Sequence, residues 1–232
     1  VAVWKRMVVF CLDRGGQARA DGPTNHGNFD LAYFRCIPNM VVSAPMNEEE
    51  LRNLMYTAQL PDQGPFSIRY PRGEGVMTEW KTPFKEIKIG TGRKVRSGTD
   101  IAVLSIGHIG NIAAKGIDAL QAEGYSVAHY DMRFVKPLDE MLLHEVFAKF
   151  KHVVTVEDHA IMGGMGSAVL EFMGDHGYTA HVKRLGIPDR WIEHGSQNEL
   201  YTECGYDDKA LVAAVKELLG EQKVSKGRKA SA

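Results

Sequence analysis

Cysteine is scarce in this sequence: three in 232 residues, Cys11, Cys36 and Cys204. An odd, small number without Cys-x-x-Cys spacing excludes a disulfide scaffold and suits a reducing compartment, so a cytoplasmic address is expected. No apolar run approaches the roughly 18 residues that a membrane span needs, and no membrane partner is expected. An excess of charge of one sign is also missing. Lys and Arg number 28 against 29 Asp and Glu, a net charge of −1, which removes the electrostatic footprint of a nucleic-acid-binding domain. The nine histidines show no His-x-x-x-His spacing, so a zinc centre is not expected.

What is present is an alternation of apolar strands and amphipathic helices. Hydrophobic residues make up 44% of the chain, enough for one large domain or two of about 100 residues each. Met7-Val8-Val9-Phe10 reads as a buried strand. It begins so near Val1 that the chain reads as the downstream piece of a longer protein. Residues 31–36 suggest a short helix and residues 40–44 a second strand. Asn47 followed by Glu50 fits a capping box, and Leu51, Leu54, Met55 and Ala58 repeat at the spacing of one buried helix face. Residues 61–65 stop that helix, and residues 66–70 supply a third strand. Three strands are too few to cover a sheet on both faces, so residues 1–75 read as half of an α/β domain.

Residues 76–98 are polar and punctuated by glycine and proline. They read as an interdomain linker with a short edge strand at 86–90. Residues 99–220 then alternate regularly. Strands are expected at 101–106, 126–131, 152–156 and 180–185, and helices at 111–123, 139–150 and 164–175. A last helix is capped by Asp207 and ended by Gly220. Such spacing implies right-handed crossovers and a parallel sheet. The polar, basic tail, residues 221–232, is expected to be disordered.

The chain must loop out between Cys11 and Asp30, where glycines and Pro23 forbid helix and strand. The loop carries Arg14, Arg19, Asp21, Asn25 and His26 at a strand's C-terminal end, where open α/β sheets gather ligands. The residues Leu12-Asp13-Arg14, Gly16, Ala20-Asp21-Gly22-Pro23-Thr24, His26-Gly27, Phe29-Asp30-Leu31 and Arg35-Cys36-Ile37-Pro38-Asn39-Met40 form the first part of a pattern. Arg69-Tyr70-Pro71-Arg72-Gly73, Val156-Glu157-Asp158 and Gly163-Gly164 continue it. This pattern resembles the 1-deoxy-D-xylulose-5-phosphate synthase family, transketolase-like enzymes that depend on thiamine diphosphate. The resemblance covers only the C-terminal part of such an enzyme.

The resemblance implies an α/β chain with two domains. Residues 1–75 would be the C-terminal half of a transketolase-like pyrimidine-binding domain. Residues 99–220 would be a transketolase C-terminal-like domain with a mostly parallel sheet. It implies a transferase that condenses pyruvate with D-glyceraldehyde 3-phosphate to 1-deoxy-D-xylulose 5-phosphate and carbon dioxide, in the supply of isoprenoid and thiamine precursors. Thiamine diphosphate would carry the carbanion chemistry and Mg2+ would bind its diphosphate. Both would be held mainly by upstream segments missing from this chain, so no cofactor-binding residue is assigned and the chain alone is not expected to turn over. A homodimer is implied as well.

Arg14 and Arg72 match the family positions that hold the acceptor phosphate, a role that suits arginine's planar fork. Asp21 matches the aspartate that contacts the acceptor's hydroxyl. Asn25 stands where the family usually has a histidine, and Asn does not titrate near neutrality. His26, next in line, is the candidate substitute. Gly15 and Arg19 also depart from the family's usual alanine and glycine. Residues 107–110 and 163–166 lack Gly-x-Gly-x-x-Gly spacing and read as tight strand-to-helix turns. Glu157-Asp158-His159 reads either as an acid–base cluster or as a subunit contact.

Two other readings stand beside the synthase. One is a non-catalytic assembly module or split subunit of a thiamine-diphosphate enzyme. The other is the beta subunit of a 2-oxo-acid dehydrogenase, which shares the architecture. The elements at 21–24 (Asp-Gly-Pro-Thr) and 70–73 (Tyr-Pro-Arg-Gly) favour the synthase over the latter.

Overall fold

The computed structural model describes residues 1–18 and 22–229, with backbone alone over 221–229. The first half contains β1 (Val9–Leu12), α1 (Asp30–Arg35), β2 (Val41–Ser43), α2 (Glu48–Thr57) and β3 (Phe66–Arg69). The second half opens with β4 (Arg93–Arg96), β5 (Ile101–Ile106), α3 (Ile109–Ala122), β6 (Val127–Asp131) and β7 (Phe134–Lys136). It continues with α4 (Glu140–Lys149), β8 (His152–Ala160), α5 (Met165–Asp175), β9 (His181–Ile187), α6 (Gln197–Cys204) and α7 (Asp208–Lys229).

Two sheets result. The larger has the order β4-β6-β5-β8-β9, parallel except for the antiparallel edge strand β4. The smaller has the order β1-β3-β2-β7. Its first three strands are parallel, and β7 arrives from the second half to pair antiparallel with β2. The halves therefore share a strand. They share a core too: Leu31, Val42 and Ala44 lie in one buried cluster with Leu104, Ile106, Tyr130 and Met132. A second cluster fills the other face of the larger sheet, where Ile101 and Val103 meet Ile117, Leu211 and Val215. A third sets Leu54 of α2 and its capping residue Ala58 against Phe66, Ile68 and Phe134. Each Leu, Ile, Val, Met or Phe side chain among them that is removed from water contributes about 1.5–3 kcal/mol.

Local capping starts the helices where polar residues precede apolar repeats. Asn47 accepts from the Glu50 amide at 3.0 Å, Asp139 from Leu142 at 2.9 Å and Asp207 from Ala210 at 2.7 Å. The expected box at Asn47 is only half made, because the Glu50 side chain turns away to Arg93 and Arg133. The edge strand lies at Arg93–Arg96 rather than at 86–90. The Lys85 and Ile87 amides donate instead to Asn53 Oδ1 (3.0 Å) and Thr57 Oγ1 (2.8 Å), strapping that segment along α2. The last helix does not stop at Gly220 but runs to Lys229. A helical glycine costs only about 1 kcal/mol relative to alanine, and the Glu, Gln and Lys that follow are good helix formers. Among the described residues no helix is long and apolar enough to cross a membrane.

Candidate active-site loop and cleft

Leu12 of β1 lies opposite Arg69 of β3 in parallel register, so the chain leaves both strands at the same end of the sheet. The Tyr70 amide donates to Leu12 O at 3.0 Å and the Gly15 amide to Tyr70 O at 2.9 Å. Arg14 occupies the turn just before that contact, in the left-handed region at φ 59°. Arg72, exposed, follows Tyr70 by two positions. Gly16 and Gly27 then exchange amide hydrogen bonds at 2.8 and 2.9 Å and close the neck of the loop. A Cβ on Gly27 would lie 2.4 Å from Arg14 O, so this crossing requires glycine.

One buried cation fixes the neck. Arg69 is 3% exposed, with Nε 2.7 Å from Asp30 Oδ2. Its Nη2 donates to the carbonyls of Gly27 (2.8 Å) and Asp158 (3.0 Å). Asp158, at the end of β8, answers from the second half. It accepts from the Gln17 amide at 3.1 Å and from the Tyr206 hydroxyl at 2.8 Å, and His108 Nε2 lies 3.0 Å from its Oδ2. Burial pushes the Asp158 carboxyl up, but His108, Arg69 and the Tyr206 hydroxyl outweigh it and hold the group below its ordinary range.

Its neighbours behave differently. Burial raises Glu157 to about 7, against the Gly166 and Met165 amides that donate to it at 2.9 and 2.6 Å. Burial and the charge of Arg69 lower His159 to about 4. His159 Nδ1 is 2.8 Å from Ala160 O, and its Nε2 accepts from the Ala32 amide at 3.3 Å. All three side chains are fully buried within this chain. The subunit-contact alternative for Glu157-Asp158-His159 is therefore corrected: Asp158 and His159 join the first half to the second at Gln17 and Ala32, and Glu157 holds the start of α5.

The candidates from the sequence land as follows. Asp21 and Arg19 lie outside the described residues. Asn25 is exposed, its Nδ2 3.4 Å from Thr24 Oγ1. His26 is 9% exposed; its Nδ1 accepts from the Ala18 amide at 2.9 Å and its Nε2 lies 3.4 Å from Glu193 O. An Nδ1 that accepts leaves the proton on Nε2, so both ring nitrogens are engaged in shaping the loop. Arg72 lines a cavity of about 440 Å³ between the halves, together with Tyr70, His108, Asn111, Gln197 and Tyr201. Arg14, Asn25 and His26 are not in its wall. His26 instead borders a cavity of about 430 Å³ beside Phe29, Met162 and Trp191.

Arg69 and Asp158 stood in the sequence pattern and His108 in an expected turn, but none of the three was assigned a role in the site. The signal for Arg69 was an arginine closing a buried strand, where an unpaired charge is not tolerated. For the other two it was a polar residue at the C-terminal end of an apolar run. Residues 107–110 and 163–166 are the expected turns, with Gly107 and Gly163 at φ 76° and 74°. Glu157 already occupies the amides at the start of α5, leaving no diphosphate seat there. Among the described residues no group of three or more His, Cys, Asp or Glu is placed to hold a metal ion. The magnesium–diphosphate end of the cofactor implied by the resemblance does not fit these residues.

The pattern of the transketolase pyrimidine binding domain matches residues 1–76, and that of the transketolase C-terminal domain matches residues 90–211. The chain belongs to the transketolase family. This transketolase-family chain is 63% identical over 221 residues to the 1-deoxy-D-xylulose-5-phosphate synthase of Cytophaga hutchinsonii, across 95% of the chain and 35% of that protein. It is 60% identical over 220 residues to the enzyme of the same name from Bacteroides thetaiotaomicron, across 94% of the chain and 34% of that protein. The chain thus spans about a third of the length of the curated relatives it matches. Among solved structures it is similar to a split gene transketolase described as an inactive beta4 tetramer. The TM-score is 0.77 at 29% identity, over 92% of this chain and 66% of that one. Transketolase from Campylobacter jejuni, at TM-score 0.65 and 17% identity over 91% of this chain and 31% of that one, shares the fold.

Proposed function

We propose that the chain is the downstream third of a 1-deoxy-D-xylulose-5-phosphate synthase and forms the side of its site that receives D-glyceraldehyde 3-phosphate. Pyruvate and the thiamine-diphosphate chemistry belong to segments with which it combines, in a cytoplasmic homodimer. The observation that carries this reading is the junction of β1 and β3. There the Gly15 amide bonds Tyr70 O at 2.9 Å and the backbone at Arg14 runs beside the 70–72 segment. Two guanidinium groups leaving one sheet end offer paired donors to a phosphate dianion. Asp21 accepts from the acceptor's hydroxyl. Asn25 orients by hydrogen bonding and moves no proton near neutrality. His26, with both nitrogens engaged, holds the loop in shape.

Combining the chain with the upstream segments of a synthase relative tests the reading. Pyruvate consumption should then depend on D-glyceraldehyde 3-phosphate. Arg14→Ala and Arg72→Ala should each raise KM for that acceptor about tenfold or more, as expected for a hydrogen bond to a charged group. The likeness to a split gene transketolase in an inactive assembly favours a second reading, a separately made subunit without activity of its own. Absence of acceptor-dependent turnover in the combined preparation, with both arginine variants indifferent, would decide for it.

A further inference from the structure

The wall of the 440 Å³ cavity facing Arg72 contains an imidazole that the acceptor reading leaves without a role. His108 sits in the turn between β5 and α3, with Gly107 at φ 76° before it. Its Nε2 lies 3.0 Å from Asp158 Oδ2 and 3.0 Å from the Tyr201 hydroxyl. The Asp158 side chain is 1% exposed and is pinned by the Gln17 amide and the Tyr206 hydroxyl. A ring nitrogen directed at an ionised carboxylate carries the proton, so Nε2–H points inward and Nδ1 is the remaining polar atom. Among the described residues Nδ1 has no hydrogen-bond partner. The side chain is 18% exposed.

We propose that His108, oriented from behind by Asp158, is a further substrate-binding residue whose Nδ1 meets the phosphate of the ligand held by Arg72. The assignment deepens the acceptor-site reading and rests on it. The surrounding charges suit an anion. The first turn of α3 brings its positive end to the same wall through Asn111 and Ile112. Glu48, which also lines the cavity, is engaged by the Val76 and Met77 amides at 3.0 and 2.9 Å. An ionised phosphate oxygen only accepts, so Nδ1 must be protonated when it contacts one. Asp158 on β8, Tyr201 on α6, and Arg72, Glu74 and Glu48 around the cavity are the groups that face this exchange.

Histidine-selective 15N labelling of the full chain tests the assignment, with titrations of D-glyceraldehyde 3-phosphate, inorganic phosphate and unphosphorylated D-glyceraldehyde in separate arms. The His108 Nδ1 resonance should move saturably towards its protonated position with the first two and stay in place with the third. A response to D-glyceraldehyde but not to phosphate overturns the assignment. His108→Gln should weaken phosphate binding about two- to tenfold, the scale of one hydrogen bond. If Arg72→Ala leaves phosphate affinity unchanged, the acceptor-site reading itself falls. If Arg72→Ala weakens binding while the His108 resonance stays still and H108Q binds normally, only the role of His108 falls. The wild-type titration needs no variant and decides the matter even where a substitution unfolds the chain.

Discussion

Two ionic joints tie the halves of this molecule together, and they are built from different partners. In the first, Glu50 of α2 takes Arg133 through two contacts at 2.7 and 2.9 Å and Arg93 through one at 3.0 Å, side chain to side chain. In the second, Arg69 pairs with Asp30 through Nε but gives its Nη2 to main-chain carbonyls of Gly27 and Asp158. The first joint fixes how two packed elements meet. The second fixes the path of a loop with little packing of its own. A side-chain clamp contributes stability alone, whereas a cation bonded to backbone contributes stability and geometry together.

Removing Arg69 should give the largest effect that separates the joints. Arg69→Met strands the buried Asp30 carboxylate and should cost about 3–5 kcal/mol in urea unfolding. It should also speed amide exchange at Gly16 and Gly27, and unchanged exchange there would erase the distinction drawn between the joints. Glu50→Gln should cost about 1.5–3 kcal/mol, the range for hydrogen bonds to charged groups. In that variant exchange at Gly16 and Gly27 should stay at the wild-type rate.

Per pH unit, the smallest effect is a pH dependence of opposite sign in adjacent residues of β8. Burial raises Glu157 from 4.5 to about 7, against two backbone amides. Its contribution is complete below about pH 4.5 and is lost as pH rises towards 7, by at most about 1.4 kcal/mol per pH unit. Asp158 is held below 3.8 because its partners outweigh burial. Its contribution is present above that value and is lost as pH falls through the lowered one. Glu157→Gln should therefore flatten the stability profile between about pH 4.5 and 7, and Asp158→Asn should flatten it on the acid side. Unfolding midpoints measured from below pH 3.8 up to about pH 7 check both, and a wild-type slope in E157Q would refute the first.

The larger sheet was legible because each element carries its own instructions. The run at 101–106 is apolar but for Ser105, the run at 127–131 is buried throughout, and Asp139 and Asp207 cap the helices they precede. Elements defined by distant partners were not legible. β7 is three residues long and exists because β2, some 90 positions earlier, offers an edge. Glu50 looked like half of a capping box because nothing local announces Arg93 and Arg133. Helix α6 was overlooked although Ser196 and Glu199 spell a complete capping box, since its apolar face is short. At the candidate site Arg72 was visible as part of a motif. Arg69 and Asp158 stood in the motifs too, but the backbone groups their side chains bond, the Gly27 carbonyl and the Gln17 amide, are displayed by no sequence pattern.

The strand that crosses from one half to the other has a practical corollary for anyone dividing this gene. A cut near residue 90, between the two recognisable domain patterns, would leave the leading fragment with an open edge along Val41–Ser43. Bare edges pair with whatever edge they meet, so the severed piece should be prone to sticking to copies of itself. Expressed as separate products, the two parts would need each other at birth.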